Sequence, residues 1–208
     1  MDIAGIVALA PVIPVLTIER AADALPLARA LVKGGLRVPE ITLRTSAAFD
    51  ALAAIVDQVP EAIAGVGTVL TVQQFEQAQR AGARFAVSPG CTPALAAAAG
   101  SAGLPYLPGI QTVSEAMALA EQGFNLLKLF PADAAGGITW LRAVAAPLPD
   151  IRFCPTGGVT ADTAPAYLAL ANVACVGGSW VTPKEAVAGH NWALVERLAF
   201  MAAALKRL

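Results

Sequence analysis

The stretch FNLLKLFPAD, residues 124–133, decides the fold class, because it has the pattern of a short buried strand between two helices. Apolar side chains occupy both alternating faces of residues 125–129, which is typical of a parallel strand that is covered on both sides. Helical patterns cover residues 113–122 before it and 137–145 after it. The stretch therefore predicts one repeating unit of an α/β fold.

The same unit recurs along the whole chain. Strand candidates lie at residues 12–16, 37–43, 62–66, 84–87, 106–107, 125–129, 151–154 and 173–176. Helical patterns lie at residues 20–33, 46–58, 71–81, 92–100, 113–122, 137–145, 161–169 and 191–206. Eight strands alternating with eight helices predict a parallel sheet. We expect a single (β/α)8 TIM barrel domain over residues 1–208, near the lower end of the usual size range of ~200 to >400 residues. An open doubly wound sheet is the alternative.

The N-terminal segment, residues 3–18, is almost entirely apolar and could be mistaken for a signal peptide. Asp2 stands where a signal peptide would carry positive charge, and Pro11 and Pro14 would break the helix of such a peptide. The segment therefore predicts a short N-terminal helix followed by a strand. No apolar run reaches the ~20 residues of a membrane span without proline or charge, so we expect no membrane association.

The composition excludes several classes of partner. Hydrophobic residues make up 57% of the chain and charged residues 14%, and the net charge is −1. Because no basic stripe could neutralise phosphates, we expect no nucleic-acid partner. His190 is the only histidine, and Cys91, Cys154 and Cys175 are widely spaced. This set predicts no metal site and favours a reducing cytoplasm over a disulfide framework. We also expect no cofactor.

Lys128 is the exceptional residue of the opening stretch. It is one of four lysines, and the other three lie in segments that read as exposed. Alternation along the strand places Leu127 and Leu129 towards the helices and leaves Lys128 on the interior face. A buried lysine is either paired with a carboxylate or kept neutral as a nucleophile. The nucleophile interpretation explains the burial better than pairing with a carboxylate does, because burial favours the neutral amine, which can attack a carbonyl group.

A second polar set lies on the interior face of the strand at residues 37–43. Val38, Glu40, Thr42 and then Arg44 share this face, although parallel strands are normally apolar on both faces. Glu40 is either a charge partner for Lys128 or Arg44, or a proton shuttle, and both roles are compatible. Arg44 has the bidentate geometry of a carboxylate ligand, and a surface arginine is the alternative.

Glycine-rich turns follow several of the predicted strands. They are GVGTVL (65–70), SPGCTP (88–93), LPGIQT (107–112), CPTGG (154–158) and VGGSW (176–180). Barrel enzymes have their active sites at the carboxyl ends of the strands, and the loops after strands seven and eight often bind phosphate. The two GG pairs therefore predict a phosphate site, with ordinary tight turns as the alternative.

Taken in order, these motifs resemble the KDPG/KHG aldolases. The resemblance covers about residues 13–180 and rests on PEITLRT, GVGTVL, SPG, LPGI with TVSEA, KLFPA, RFCPTGGV and VGGSW. Members are class I aldolases that act on 2-keto-3-deoxy-6-phosphogluconate or 4-hydroxy-2-oxoglutarate. The resemblance implies a (β/α)8 barrel, a homotrimer and no metal. Val66, Cys91, Gln111 and Asp133 depart from the usual family residues and could tune the substrate range.

The resemblance also implies roles at the pyruvate end of the substrate. Lys128 in KLFPA is similar to the Schiff-base lysine, and Glu40 in PEITLRT to the general acid/base. Arg44 in the same motif is similar to the ligand of the pyruvate carboxylate. Thr68 of GVGTVL and Pro89 of SPG resemble further residues of the pyruvate pocket.

At the other end of the substrate, Thr156 of CPTGG matches a position linked to stereochemical preference. Gly157, Gly158, Gly178 and Ser179 resemble the phosphate site. The implied reaction is reversible cleavage of 2-dehydro-3-deoxy-6-phosphogluconate to pyruvate and glyceraldehyde 3-phosphate. Cleavage of 4-hydroxy-2-oxoglutarate to pyruvate and glyoxylate is a further implied activity.

The sequence leaves three alternatives to this function. A non-catalytic phosphosugar-binding barrel would retain the GG loops without needing Lys128 and Glu40. An aldolase of the same family could be galacto-specific or could prefer an unphosphorylated substrate. A metal-dependent aldolase would need a His/Asp/Glu cluster, which a chain with one histidine does not favour.

Overall fold

Short parallel strands alternate with helices throughout the described chain, residues 1–206 of a computed structural model. The strands are β1 (Val12–Leu16), β2 (Glu40–Thr42), β3 (Gly65–Gly67), β4 (Ala86–Val87), β5 (Tyr106–Leu107), β6 (Gly109–Ile110), β7 (Leu126–Leu129), β8 (Arg152–Pro155) and β9 (Val176–Gly178). The helices are α1 (Ile3–Val7), α2 (Ala24–Lys33), α3 (Ala48–Gln58), α4 (Val72–Arg80), α5 (Pro93–Ala102), α6 (Val113–Ala120), α7 (Gly137–Val144), α8 (Ala164–Leu168), α9 (Lys184–Ala188) and α10 (Trp192–Ala203). A 3₁₀ turn, Ala21–Asp23, precedes α2.

The strands form two parallel sheets. One has the order β5-β4-β3-β2-β1-β9 and the other has the order β6-β7-β8. Isolated bridges from Phe153 to Val173 and from Thr156 to Gly177 join the two sheets on one side. On the other side β5 and β6 are separated by Pro108, which has no N–H to donate. The predicted parallel α/β fold is confirmed, but the strands do not form one continuous eight-stranded ladder.

Two separate groups of buried side chains confirm the predicted alternation along β7. Leu127 and Leu129 belong to the large cluster between the strands and the helices. Leu126 belongs to a second cluster on the opposite face of the strands, together with Ile6 and Val7 of α1. The N-terminal helix was predicted from the sequence, and here it covers one end of the sheet interior.

Most helices lie within a few residues of their predicted bounds. The exception is α9, a five-residue helix that has no counterpart among the predicted helices, because a helix of this length is too short to show periodicity. The pattern at residues 106–107 predicts a single strand, whereas the structure has a second short strand, β6, directly after it. Within residues 1–206, no helix is long and apolar enough to cross a membrane.

Asp23 anchors the start of α2 to the turn before α10. Arg20 donates from Nε and Nη2 to its two carboxylate oxygens at 2.9 and 2.8 Å. His190 Nε2 lies 3.2 Å from Asp23 Oδ1. The hydrogen bonds from Arg20 hold the pKa of this buried carboxyl below its ordinary value. The charged form of Asp23 therefore stabilises the folded state.

This lowered pKa predicts a loss of stability in acid. A group whose folded-state pKa is depressed contributes fully above its unfolded pKa, about 3.9 for aspartate, and its contribution is lost as pH falls through the folded-state value. We expect Asp23→Asn to lower the melting temperature at neutral pH and to flatten its fall as pH drops below about 5. The exposed Asp57 of α3 offers a control, since Asp57→Asn should melt like the wild type. An unchanged acid profile in Asp23→Asn would contradict this expectation.

Candidate active site

A buried ion pair lies at the centre of the candidate site. Lys128 Nζ in β7 is 3.1 Å from Glu40 Oε1 in β2, and the two side chains are 5% and 3% exposed. Each strand belongs to a different sheet, so the pair links the two sheets across the interior. A side chain at Gly67 would overlap the Glu40 carboxylate, so the glycine of β3 makes room for it. The structure therefore brings together two residues that the sequence predicted as partners.

An aromatic ring and a thiol group also lie near Lys128. Its Nζ lies 5.3 Å from the centre of the Phe130 ring, a distance typical of a cation–π contact. Cys154 pairs with Lys128 across β7 and β8. A side-chain hydrogen bond with Cys175 and the positive charge of Lys128 hold the pKa of the Cys154 thiol below its ordinary value, although burial opposes this. Phe130 is not among the predicted site residues, although it lies two residues beyond Lys128 on the same face.

Arg44 and Thr68 meet beyond the carboxyl ends of β2 and β3. Arg44 Nε donates to Thr68 Oγ1 at 3.3 Å. Thr68 has φ +60°, a left-handed conformation that is strained for a β-branched residue. Strain of this kind persists where the surrounding structure requires it, often at functional sites. The contact places an exposed guanidinium group and a hydroxyl group on the same rim as the buried ion pair.

Pro89 lies close to the strand beside Lys128. It follows Ser88 at the end of β4, and a side chain at Gly109 would overlap the Pro89 backbone. Gly109 in β6 is the register partner of Lys128 in β7. The turn at Pro89 therefore packs directly on the neighbouring strand of the lysine.

The two predicted phosphate loops are brought together by the bridge between Thr156 and Gly177. Gly157 and Gly158 follow Thr156 with φ +93° and +82°, values that favour glycine. Gly177 leads into the second loop, and a side chain there would overlap the Thr156 hydroxyl. In the second loop, the buried Gly178 ends β9 and the exposed Ser179 follows it. The structure thus juxtaposes the two glycine-rich loops at the carboxyl ends of β8 and β9.

Comparison with known sequences gives consistent matches. The sequence model of the KDPG and KHG aldolases matches residues 3–198. A 2-dehydro-3-deoxy-phosphogluconate aldolase of Pseudoalteromonas atlantica is 46% identical over 194 residues, which cover 93% of this chain and 90% of that protein. The KHG/KDPG aldolase of Escherichia coli is 48% identical over 189 residues, covering 91% and 89% of the two chains.

Solved structures agree with the sequence matches. The KDPG aldolase of Legionella pneumophila, with pyruvate captured as a covalent carbinolamine intermediate, has a TM-score of 0.96 and 46% identity. The match covers 98% of this chain and 99% of that one. The 2-keto-3-deoxy-6-phosphogluconate aldolase of Zymomonas mobilis, with 3-phosphoglycerate, has a TM-score of 0.95 and 45% identity, covering 99% and 97%.

Proposed function

The chain belongs to the KDPG and KHG aldolase family, and we propose that it cleaves 2-dehydro-3-deoxy-6-phosphogluconate reversibly to pyruvate and glyceraldehyde 3-phosphate. A secondary activity on 4-hydroxy-2-oxoglutarate would release pyruvate and glyoxylate. The observation that carries the proposal is the buried contact of 3.1 Å between Lys128 and Glu40. It supplies an amine nucleophile and a proton carrier next to each other in one interior site.

The first half of the proposed reaction forms a covalent intermediate. Lys128 passes a proton to Glu40 across their 3.1 Å contact, and the resulting neutral amine attacks the C2 carbonyl carbon of the 2-keto acid while the carbonyl oxygen takes up a proton. Glu40 moves the protons as the resulting carbinolamine loses water and becomes an iminium ion. The positive iminium nitrogen then acts as the electron acceptor for carbon–carbon cleavage.

The second half breaks the C3–C4 bond. Glu40, directly or through a water molecule, takes the proton of the C4 hydroxyl group. The C4 oxygen becomes the aldehyde carbonyl, and the electron pair of the C3–C4 bond moves towards the iminium nitrogen to form an enamine. Protonation of the enamine at C3 and addition of water at C2 release pyruvate and restore the Lys128 amine.

Substrate binding is proposed to divide between the two ends of the site. Arg44, with Thr68 and Pro89, would hold the pyruvate carboxylate end, because a guanidinium group can bind a carboxylate through two hydrogen bonds. Thr156 would contact the C4 oxygen and influence the stereochemical preference. Its position supports this, since the buried Thr156 lies between Cys154 beside Lys128 and the glycine-rich loops.

Broader features of the proposal concern architecture and assembly. We propose that β5 and β6 act as one strand interrupted at Pro108, so that eight strands close into a single (β/α)8 barrel domain. The bridges at Phe153 and Thr156 support this closure on the opposite side. A homotrimer located in the cytoplasm is also proposed, on the resemblance to the family alone.

The proposed activity can be tested by measuring pyruvate release from a panel of 2-keto-4-hydroxy acids, with and without a terminal phosphate. We expect the phosphorylated six-carbon acid to be cleaved most efficiently and 4-hydroxy-2-oxoglutarate more slowly. Binding of the phosphorylated acid without any pyruvate release would instead support a non-catalytic phosphosugar-binding protein. Equal efficiency with both substrates would contradict the phosphate-site assignment.

A substitution at Gly158 should reduce the preference for the phosphorylated substrate. A Cβ atom at this position would overlap the Asp133 side chain and would be strained at φ +82°, so Gly158→Ala should displace the loop. A hydrogen bond to a charged group contributes roughly 1.5–3 kcal/mol, so losing one should lower the ratio of the two kcat/KM values about 10- to 100-fold. The unphosphorylated reaction should change little.

The matched control for this experiment is Gly123→Ala. Gly123 has φ +88°, and no atom lies within 4 Å of its added Cβ, so the backbone strain is similar but the loops are untouched. The control should keep the wild-type ratio of kcat/KM values. Equal falls for both substrates in Gly158→Ala would show that the loop does not bind the phosphate.

A further inference from the structure

A chain of hydrogen bonds lies beside the candidate site and involves residues to which the proposed reaction assigns no role. The Gly109 N–H donates to Ser88 Oγ at 3.4 Å, and Ser88 Oγ lies 2.6 Å from Tyr106 Oη. Tyr106 Oη donates to Cys91 Sγ at 3.5 Å. Because the amide can only donate, the arrangement that satisfies every group runs from Gly109 through Ser88 and Tyr106 to Cys91. Each hydroxyl group then accepts one hydrogen bond and donates one.

The central tyrosine of this chain is held rigidly. Tyr106 is 4% exposed, and Ser88 is fully buried. The Tyr106 ring packs edge to face against Phe75 and Phe124, with ring centres 5.5 and 5.9 Å apart. Burial raises the pKa of the Tyr106 phenol far above its ordinary value, so the hydroxyl stays protonated and remains a donor. Packing and protonation state thus both keep the hydrogen-bond chain in one arrangement.

The hydrogen-bond chain also crosses the junction between the two sheets. Tyr106 lies in β5 of the six-stranded sheet, which carries Glu40, and Ser88 directly follows β4 of the same sheet. Gly109 in β6 belongs to the three-stranded sheet, which carries Lys128. Pro108 interrupts the strand between β5 and β6. The hydrogen-bond chain therefore connects the two sheets at a point where the backbone ladder is broken. Lys128 N–H donates to the Pro108 carbonyl at 2.8 Å, so the lysine strand is attached at this same junction.

We propose that Tyr106 is a positioning residue that acts through Ser88 to set the distance between Lys128 and Glu40 and to fix the turn at Pro89. This inference rests on the proposed aldolase function. Each sheet contributes one member of the ion pair, so a small shift at the junction changes how the amine and the carboxylate face the substrate. Displacements of about 1 Å at a reacting centre can cost up to about 10²-fold in rate.

The test compares Tyr106→Phe with the wild type in cleavage of the phosphorylated substrate. Phenylalanine keeps the ring packing and removes only the hydroxyl group. We expect kcat to fall about 10-fold while KM changes less than about 2-fold, because the loss affects positioning rather than binding. The rate at which borohydride traps pyruvate on Lys128 should fall in parallel. A purely structural role would lower the melting temperature without moving kcat of the folded protein.

Two further variants make the outcome decisive. Tyr167→Phe removes the hydroxyl group of the other tyrosine, which is also buried, and should leave kcat unchanged. Ser88→Ala should lower kcat as Tyr106→Phe does, and the double variant should be no slower than the slower single variant, since both break one chain. A wild-type kcat in Tyr106→Phe, additive losses in the double variant, or an equal loss in Tyr167→Phe would overturn the inference. A wild type that releases no pyruvate would overturn the proposed function and this inference with it.

Discussion

Lys128→Met is expected to lower turnover by roughly 10⁴-fold or more, the scale seen when a covalent nucleophile is removed. Methionine has a similar length but no amine, so neither a carbinolamine nor an iminium ion can form. In the wild type, borohydride should reduce the iminium ion that pyruvate forms with Lys128 and leave an N-(1-carboxyethyl) group on this residue. Peptide mapping can identify the modified residue, because Lys33, Lys184 and Lys206 are the only other lysines. An adduct on one of them, or on none, would contradict the Schiff-base mechanism.

The stability of this variant needs its own control. Lys128→Met leaves Glu40 buried without its partner, and breaking a buried ion pair costs roughly 3–5 kcal/mol. Adding Glu40→Gln removes the orphaned carboxylate and should restore much of the melting temperature. Activity should stay absent in the double variant. Recovery of activity together with stability would show that the lysine is needed for folding rather than for chemistry.

Glu40→Gln alone is expected to lower kcat by about 10²- to 10⁴-fold, the usual contribution of a general acid–base group. Glutamine has nearly the same size and still fits the space beside Gly67, but it cannot accept a proton. Pyruvate binding should change less, because Arg44 is proposed to hold the carboxylate. The measurements are kcat for the phosphorylated substrate and the extent of borohydride trapping with pyruvate.

Glu76→Gln supplies the matched control. Glu76 is exposed on α4 and only approaches Arg80 at 3.8 Å, so its loss should leave kcat unchanged. Near-normal turnover in Glu40→Gln would reduce Glu40 to a charge partner of Lys128. Chelators should affect neither protein, and inhibition by them would support the metal-dependent alternative.

Side-chain periodicity was enough to predict the α/β class and the orientation of individual residues. The alternation in β7 placed Leu127 and Leu129 towards the helices and Lys128 towards the interior, and the two buried clusters agree with it. The same reasoning placed Glu40 on the interior face of β2, where it is 2% exposed. These predictions succeed because burial acts on each residue locally, and it leaves a period of two in the sequence.

The extent of the strands was less predictable. Residues 37–43 read as one strand, but the ladder of β2 contains only Glu40–Thr42. Similarly, the predicted strand covers residues 62–66, whereas the observed strand β3 is Gly65–Gly67. A strand's hydrogen-bonded ladder ends where the neighbouring strand no longer offers backbone partners. That neighbouring strand lies in a distant part of the sequence. Local composition therefore predicts the existence of a strand better than its bounds.

Which residues meet was decided by the tertiary structure. Lys128 and Glu40 are 88 residues apart in the chain, and their 3.1 Å contact exists because strands of two different sheets face the same interior. The hydrogen bonds from Gly109 through Ser88 to Tyr106 likewise depend on the junction between the sheets. Nothing in the local sequence pattern indicates a special role for Tyr106. Periodicity indicated which side chains of β2 and β7 face the interior, and residue type indicated their chemistry. Only the tertiary structure determined their partners, because a contact depends on the path of two distant segments at once.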